Sequence, residues 1–310
     1  MLRLGIALGA GGSRGYGWHT GVLRGLEEIT GADLRDIQPV VGTSAGSYAA
    51  AYLRGGFTGA DLYASAIGES ASAPGAALSA RIGSTGQLAT AGRPVLRPVA
   101  PSVVMHAVRD RRLPRVGALL AGLLPAGTVS GEPWLAPLRL LWEGRDWPPG
   151  MRIAAVRLRD GVRVVFDQTT GVPVADAVAA SSAVPAYMAP IVIGAETYVD
   201  GSAHAPTNAD LLGGEPLDIV VISAPMSAPP EGGGLGRDTA VRVWAARHAR
   251  SETAGLVRAG VRVVTIAPNE TARAALARRG GSVDERRAIA AKAAYAQVLD
   301  SGEALAAALR

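Results

Sequence analysis

The sequence predicts an α/β fold with a mainly parallel sheet, and two stretches support this prediction. Residues 3 to 8 form an apolar strand pattern that runs into the glycine-rich loop 9–15, and a helical pattern follows from about Tyr16. Residues 40 to 42 form a second strand pattern that leads into Gly42-Thr43-Ser44-Ala45-Gly46 and an alanine-rich helix. Strands joined by a right-handed helical crossover pair in parallel, so both loops are expected at one edge of the sheet.

Composition excludes several classes of protein. The chain has 310 residues and no cysteine, which rules out disulfides and thiolate chemistry and is typical of a cytoplasmic protein. Its first apolar run is short and breaks into glycines, which favours a buried strand over a signal peptide, and no run could span a bilayer. The net charge is +5, but no basic block with interleaved aromatic residues occurs, so nucleic acid is not expected as a partner.

The glycine-rich loop after the first strand has two interpretations. A dinucleotide-binding Gly-x-Gly-x-x-Gly loop would need a glycine where this chain has Arg14, and no acidic residue ends the second strand. Alternatively, the backbone N–H groups of Gly11 and Gly12, which have no side chains around them, could face Ser44 and bind an oxyanion.

Ser44 is the candidate nucleophile. A serine in a tight strand-to-helix turn needs small neighbours, which Gly42 and Gly46 provide, and the helix that follows favours developing negative charge at its N-terminus. The alternative is an ordinary Gly/Ser loop, because the chain contains 40 glycines.

Asp200 is the second candidate, and Asp160 provides an internal comparison. Asp160-Gly161 lies between two alternating strand patterns, as expected for a hairpin turn. Asp200-Gly201 instead ends a short strand pattern, and the residues after it do not return as a partner strand. An aspartate in that position could reach a serine at a neighbouring strand end.

The rest of the chain predicts a single domain over residues 1–310. Residues 58–150 have a weak pattern, typical of an insertion that covers the sheet, and residues 239–310 are mainly helical. The predicted elements are a hairpin over 152–166, a helix over 174–180, strands at 191–193, 197–199, 217–223 and 261–266, a flexible loop at 232–236, and helices over 239–258 and 283–309.

Within the insertion, residues 93–142 alternate apolar groups with arginines. Two hypotheses remain open: this segment simply covers the sheet with solvated arginines, or it forms a cap that meets a lipid surface. The arginines are Arg93, Arg97, Arg109, Arg111, Arg112 and Arg115.

Four segments together resemble the patatin-like phospholipases, including the bacterial serine hydrolases of that family. These segments are Gly9 to Gly15, Gly42 to Gly46, Ala180-Ser181-Ser182-Ala183-Val184-Pro185, and Tyr198 to Ser202. The resemblance covers most of residues 4 to 210, except for about 58 to 150. It implies a three-layer α/β/α fold and hydrolysis of carboxylic esters of lipids by a serine–aspartate dyad without histidine, metal or cofactor.

The resemblance also assigns roles to residues. Ser44 would be the nucleophile and Asp200 the base, while Gly11 and Gly12 would supply the oxyanion N–H groups. The supporting positions would be Gly9, Arg14, Gly15, Gly42, Gly46 and Gly201. Ala10 and Ser202 depart from the family pattern, where glycine and a smaller residue are usual.

A catalytic histidine and a non-catalytic function are the alternatives to a serine–aspartate hydrolase. His204 and His248 follow Asp200 in the chain order of a Ser-Asp-His triad, whereas His19 lies in the first helix and His106 in the insertion. A catalytically inactive lipid-binding or scaffold protein of the same fold is the alternative function. The expected partner is a lipid or ester substrate, and the expected location is the cytoplasm with peripheral association at the inner membrane surface.

Overall fold

A computed structural model describes residues 3–86, 88–90, 96–109, 114–227, 237–277 and 280–309. Predicted features at Arg93, Arg111, Arg112 and the loop 232–236 lie outside these residues. The strands are β1 (Leu4–Leu8), β2 (Val40–Gly42), β3 (Ala89–Thr90), β4 (Val129–Ser130), β5 (Met151–Arg157), β6 (Arg163–Phe166), β7 (Ile191–Ile193), β8 (Glu196–Asp200), β9 (Ile219–Ser223) and β10 (Arg262–Ile266).

Eight strands form the central sheet, in the order β10-β9-β1-β2-β5-β8-β7, with β6 paired to β5. The five strands from β10 to β5 are parallel to one another. The remaining pairs, β5–β6, β5–β8 and β7–β8, are antiparallel. The predicted α/β fold with a mainly parallel sheet is confirmed, and so is the hairpin around Asp160-Gly161.

The helices are α1 (Gly12–Thr30), α2 (Ala45–Arg54), α3 (Gly59–Ile67), α4 (Ala73–Ile82), α5 (Ser102–Arg109), α6 (Val116–Leu123), α7 (Glu132–Trp142), α8 (Val174–Ser182), α9 (Arg237–Arg258), α10 (Glu270–Ala277), α11 (Val283–Asp300) and α12 (Gly302–Ala308). Two predicted boundaries are wrong. The first helix begins at Gly12 rather than Tyr16, and the last predicted helix is divided at Ser301 into α11 and α12.

Alternate side chains of the buried strands point to opposite faces of the sheet, which gives the fold three layers. Ile6 and Leu8 of β1 pack with α1, α2 and α11 on one face. Ala7 packs with Leu256 of α9 on the other face. On that second face Val156 of β5 contacts the alanines of α6.

The contact between α1 and α11 explains why α1 contains glycines in its interior. A Cβ at Gly17 would collide with the carbonyl oxygen of Arg287, and one at Gly21 would collide with that of Ala291. Glycine has low helix propensity, but here it lets two backbones approach closely, and the packing compensates for the propensity.

Candidate active site

The register of the sheet places Ser44 and Asp200 at the same level. Gly42, the last residue of β2, pairs with Ile153 of β5. Asp200, the last residue of β8, pairs with Ala155, two residues further along β5. Two residues of strand span about 7 Å, so Asp200 lies beyond the level of Gly42 on the side where the chain continues to Ser44. Both residues therefore lie at the carboxyl edge of the parallel strands, on either side of β5.

Ser44 has a strained backbone. Its φ is 53° and its ψ is −118°, a combination that residues with a side chain rarely adopt and that typically costs about 1–3 kcal/mol. It occupies the N-cap position of α2, where a serine hydroxyl normally accepts a hydrogen bond from the first turn. Here the side chain makes no capping bond, and the backbone lacks the extended conformation that is usual at an N-cap. The hydroxyl is therefore available for chemistry.

The two flanking glycines allow this turn. A Cβ at Gly42 would lie 2.6 Å from the Cα of Ser47, and one at Gly46 would collide with the carbonyl oxygen of Leu8. The N–H of Gly46 donates to the carbonyl oxygen of Gly9 over 3.1 Å. The elbow is thus packed directly on the end of β1, where larger residues would force the strands apart.

Two serines hold the backbone of Ser44 in place. The N–H of Ser44 donates to Oγ of Ser181 over 2.9 Å, and Oγ of Ser47 donates to the carbonyl oxygen of Ser44 over 2.6 Å. Ser181 is fully buried at the end of α8. The sequence singled out the Ala-Ser-x-x-x-Pro block that contains Ser181, but it gave no role to the serine.

Asp200 is buried and incompletely hydrogen-bonded. Its Oδ1 accepts a bond of 2.8 Å from the N–H of Ser202, and its own N–H donates to Ala183. Among the described residues, Oδ2 has no hydrogen-bond partner of regular geometry. Burial therefore raises the pKa of Asp200 to about 6, against smaller opposing effects from the Ser202 N–H and the Ser44 hydroxyl.

The effect of the Ser44 hydroxyl on this pKa means that the two side chains are close to each other. They are close without an ideal hydrogen bond, since Oδ2 stays unpaired. Apo active sites often show such long or misaligned bonds, which tighten when the substrate binds. A carboxylate with a pKa near 6 is ionised at neutral pH, yet it is a stronger base than an ordinary aspartate.

The glycine-rich loop begins α1 beside the elbow. Gly12 has a φ of 60°, and a Cβ there would meet nothing within 4 Å, so this part of the loop faces open space. The carbonyl oxygen of Gly11 accepts the N–H of Gly15 over 2.9 Å, which closes the first turn of the helix. No carbonyl oxygen of the described residues accepts a hydrogen bond from the N–H of Gly11 or Gly12. Both N–H groups lie at the start of a 19-residue helix, where anions are stabilised. They can therefore donate to an oxyanion.

His19 fixes the position of this loop, and sequence reasoning missed this role. It is fully buried; its Nε2 lies 2.6 Å from the carbonyl oxygen of Gly9, and its Nδ1 lies 2.8 Å from Oγ of Ser223. Burial lowers the pKa of His19 to about 4, so the ring is neutral. A carbonyl oxygen can only accept, so Nε2 donates to Gly9 and Nδ1 accepts from Ser223. A histidine in a helical pattern gives no sequence signal of such a role.

The other predicted site residues have definite places. Arg14 lies in the first turn of α1, where burial and the charges of Arg286 and Arg242 lower its pKa. Gly201 is buried in the 3₁₀ turn Gly201–Ala203, where a Cβ would collide with the carbonyl oxygen of Ala154.

The structure does not bring the other three histidines into a triad. In the described part of the chain, no hydrogen bond joins His204 to Ser44 or Asp200. Burial, with the charges of Arg163 and Arg115, lowers the pKa of His204 to about 4. His106 and His248 each bond a carbonyl oxygen four residues earlier in their own helices.

Among the described residues, neither a group of possible metal ligands nor the cavity below includes Ser44 or Asp200. Within the described residues, no group of three His, Asp or Glu side chains is placed to hold a metal ion. A cavity of about 310 Å³ lies between α7, α8 and β7, but neither Ser44 nor Asp200 lines it. No helix of the described residues is both long and apolar enough to cross a membrane.

Comparison with known proteins identifies the family. The model of the patatin-like phospholipase family matches residues 6–212, which is more than half of the chain. The chain belongs to this family, whose activity is the hydrolysis of lipid esters. The earlier resemblance and the predicted fold class are confirmed. A search of curated protein sequences finds no significant match.

Two solved structures are similar to the whole chain at low identity. For VipD from Legionella pneumophila the TM-score is 0.45 and the identity 13%, with 97% of this chain and 66% of VipD covered. For the type III effector protein ExoU the TM-score is 0.37 and the identity 14%, with 97% of this chain and 53% of ExoU covered. The chain thus spans less than two thirds of either protein, and similarities this low support no inference about its function.

Proposed function

We propose that this protein is a lipid acyl hydrolase in which Ser44 is the nucleophile and Asp200 the general base. The main support is the pairing of a strained serine that caps no helix with a buried carboxylate whose Oδ2 is unpaired. A structural aspartate would normally have both oxygens hydrogen-bonded, and a structural N-cap serine would normally bond its own helix. Substrate binding would complete the bonds that both residues lack.

The reaction has two stages, the acylation of Ser44 and the hydrolysis of the acyl-enzyme. Oγ of Ser44 attacks the ester carbonyl carbon while Asp200 takes the hydroxyl proton, and the N–H groups of Gly11 and Gly12 stabilise the oxyanion. Collapse of the tetrahedral intermediate breaks the ester bond, and Asp200 returns the proton to the leaving alcohol. Water then attacks the acyl-Ser44 ester with Asp200 again as base, which releases the fatty acid and restores the serine.

The raised pKa of Asp200 matters for this mechanism. An aspartate with a pKa near 4 is a weak base toward a serine hydroxyl, and burial moves the pKa to about 6 without protonating the group at neutral pH. Each oxyanion donor contributes about 3–4 kcal/mol of transition-state stabilisation in well-studied hydrolases. A dyad of this kind therefore depends on a rigid loop, which the bond between His19 and Gly9 supports.

We propose further that the protein works in the cytoplasm and associates peripherally with the inner membrane surface, where its lipid substrate lies. The absence of cysteine from the sequence supports a reducing compartment. The acyl chain and headgroup of the substrate are not specified by Ser44, Asp200 or the glycine-rich loop, since these residues act on the ester group alone.

A fluorophosphonate probe tests the proposal, because it labels only an activated serine. The wild-type protein is expected to be labelled stoichiometrically and to hydrolyse a soluble ester. Ser44→Ala is expected to remove both properties, with a loss of about 10³-fold or more in kcat. Asp160→Asn, at the hairpin turn, is the matched control for Asp200→Asn and should leave both intact. An unlabelled wild-type protein would favour the inactive lipid-binding alternative.

A further inference from the structure

Helices α5 and α6 expose an apolar face on the surface of the protein. Val104, Met105 and Val108 are 43%, 72% and 74% exposed, and they share one side of α5. Val116 and Leu120, 70% and 52% exposed, share one side of α6 with Leu123. We call these six side chains the α5–α6 face. In many soluble proteins large exposed apolar residues are scattered singly, so six of them on two helices that pack together indicate an interaction site.

The opposite sides of both helices are packed, so the exposure is not a consequence of loose attachment. Val103 is fully buried, and a Cβ at Gly122 would lie 2.8 Å from its Cγ1, which shows how closely α5 and α6 approach each other. Ala118 and Ala121 of α6 are buried against Val156 and Val199 of the sheet. Each helix thus has an inner side in the core and an outer side in solvent.

Helix α6 also contacts the turn that follows Asp200. A Cβ at Gly117 would collide with the carbonyl oxygen of Ala203, so α6 lies directly on this 3₁₀ turn. At the start of the same helix, Nη1 of Arg115 donates to the carbonyl oxygen of His204 over 3.2 Å. The α5–α6 face is therefore fixed to the segment that holds the candidate base.

The stretch of sequence that contains α5 and α6 is strongly basic. Residues 70–131 of the sequence contain seven arginines, one aspartate and no other charged residue, which gives a net charge of +6. The whole chain has a net charge of +5, so the rest of the molecule is close to neutral. Arg97 and Arg115, near the ends of the two helices, are exposed.

We propose that the α5–α6 face inserts into the interface of an anionic phospholipid bilayer and that Arg97 and Arg115 bind lipid phosphates; this inference rests on the proposed lipid hydrolase function for its biological purpose. Apolar side chains in the acyl boundary with guanidinium groups at headgroup level are the arrangement of interfacial helices. Each arginine near an anionic membrane surface strengthens binding to that surface by about fivefold. A second copy of the chain is a poorer occupant, because two segments of charge +6 repel each other.

Vesicle binding by the Ser44→Ala protein tests this surface separately from catalysis. The protein is mixed with phosphatidylcholine vesicles, with and without phosphatidylglycerol, and bound protein is measured by sedimentation. Binding is expected to require the anionic lipid and to weaken as salt increases. Met105→Glu, Val108→Glu and Leu120→Glu, combined, should reduce binding by about tenfold or more.

The matched control is Leu140→Glu, Val192→Glu and Val257→Glu, which adds the same charge at exposed apolar positions elsewhere. This control should bind within about twofold of the parent protein if the location of the face decides binding. Equal losses in both triple variants would overturn the proposal, as would no binding to either kind of vesicle. Should the glutamate variant fail to fold by circular dichroism, Met105→Ser with Leu120→Ser replaces it with the same expectation.

The two proposals fail separately. With Ser44 present, the triple variant of the face should hydrolyse a short soluble ester like wild type but lose activity on anionic vesicles. Binding without any ester hydrolysis would refute the proposed catalysis and leave the docking surface intact. Sedimentation velocity identifies the remaining outcome: a wild-type dimer that the triple variant converts to a monomer, without vesicle binding, would assign the face to self-association.

Discussion

Replacing Asp200 with asparagine is expected to stabilise the fold while it removes activity. Asparagine has the same shape and can still accept the bond from the Ser202 N–H at its oxygen. What the substitution removes is a negative charge that is 1% exposed, with one oxygen unpaired among the described residues. A buried charge of this kind destabilises the native state, because water solvates it better in the unfolded chain.

The sign and size of the effect follow from the pKa. Burial raises the pKa of Asp200 from 3.8 in the unfolded chain to about 6 in the native protein. Between these values the native state holds a proton that the unfolded state has lost, so the free energy of unfolding falls as the pH rises. Above about pH 6 the full cost is present, about 3 kcal/mol at 1.36 kcal/mol for each pKa unit.

Urea unfolding at several pH values measures this difference. At pH 8, Asp200→Asn should unfold with a free energy up to about 3 kcal/mol larger than wild type, and the two proteins should converge near pH 4. Asp160→Asn is the control of opposite sign. Burial raises the pKa of Asp160, but hydrogen bonds from Arg157 and the Val162 N–H outweigh it and lower the pKa overall. That variant should therefore lose stability at pH 8 and approach wild type in acid.

One result would refute the reasoning directly. If Asp200→Asn is no more stable than wild type at pH 8, the carboxylate is not a buried, poorly solvated charge, and its use as a strengthened base loses its physical support. Equal stabilisation by Asp160→Asn would mean that a general charge effect, rather than the local environment of Asp200, is responsible.

Two further predictions concern activity on a soluble ester. First, kcat/KM should fall below about pH 6 as Asp200 becomes protonated; a fall only near pH 4 would show an ordinary aspartate pKa. Second, His19→Phe should lower kcat about tenfold or more, because the carbonyl oxygen of Gly9 loses one of its two donors, the other being the N–H of Gly46, and the oxyanion loop shifts. KM and the acid limb should stay nearly unchanged in this variant, and an unaltered kcat would mean that His19 does not position the loop.

Local signals in the sequence determined the first half of the fold and the candidate nucleophile. The segments from β1 to α2 follow one another with short connections, and the handedness of the crossover leaves one arrangement for the two loops. Gly42 has a local role, because a Cβ there would meet Ser47 five residues later, whereas Gly46 also makes room for the carbonyl oxygen of Leu8 in β1. The contrast between Asp160 and Asp200 was equally local, because it rests on which strand patterns flank each residue.

The tertiary structure decided how Asp200 meets Ser44. The sequence placed each residue at the end of a strand, but it did not show that β8 is antiparallel or that β5 lies between β8 and β2. Pairing partners and register depend on which side chains pack together from distant segments, and a shift of one residue would turn Asp200 to the other face of the sheet. Only the completed sheet brings the carboxylate level with the elbow.

The supporting contacts and the outer surface also required the folded chain. His19 and Ser181 act through bonds to Gly9 and Ser44, which are 10 and 137 residues away in sequence. The apolar groups and arginines of residues 93–142 are compatible both with a cover over the sheet and with a membrane-facing cap. Packing of Val103 and Ala118 inward settled which sides of α5 and α6 lie in the core and which face solvent. A short helix with apolar residues on every side does not specify its buried side, so only its tertiary neighbours can do so.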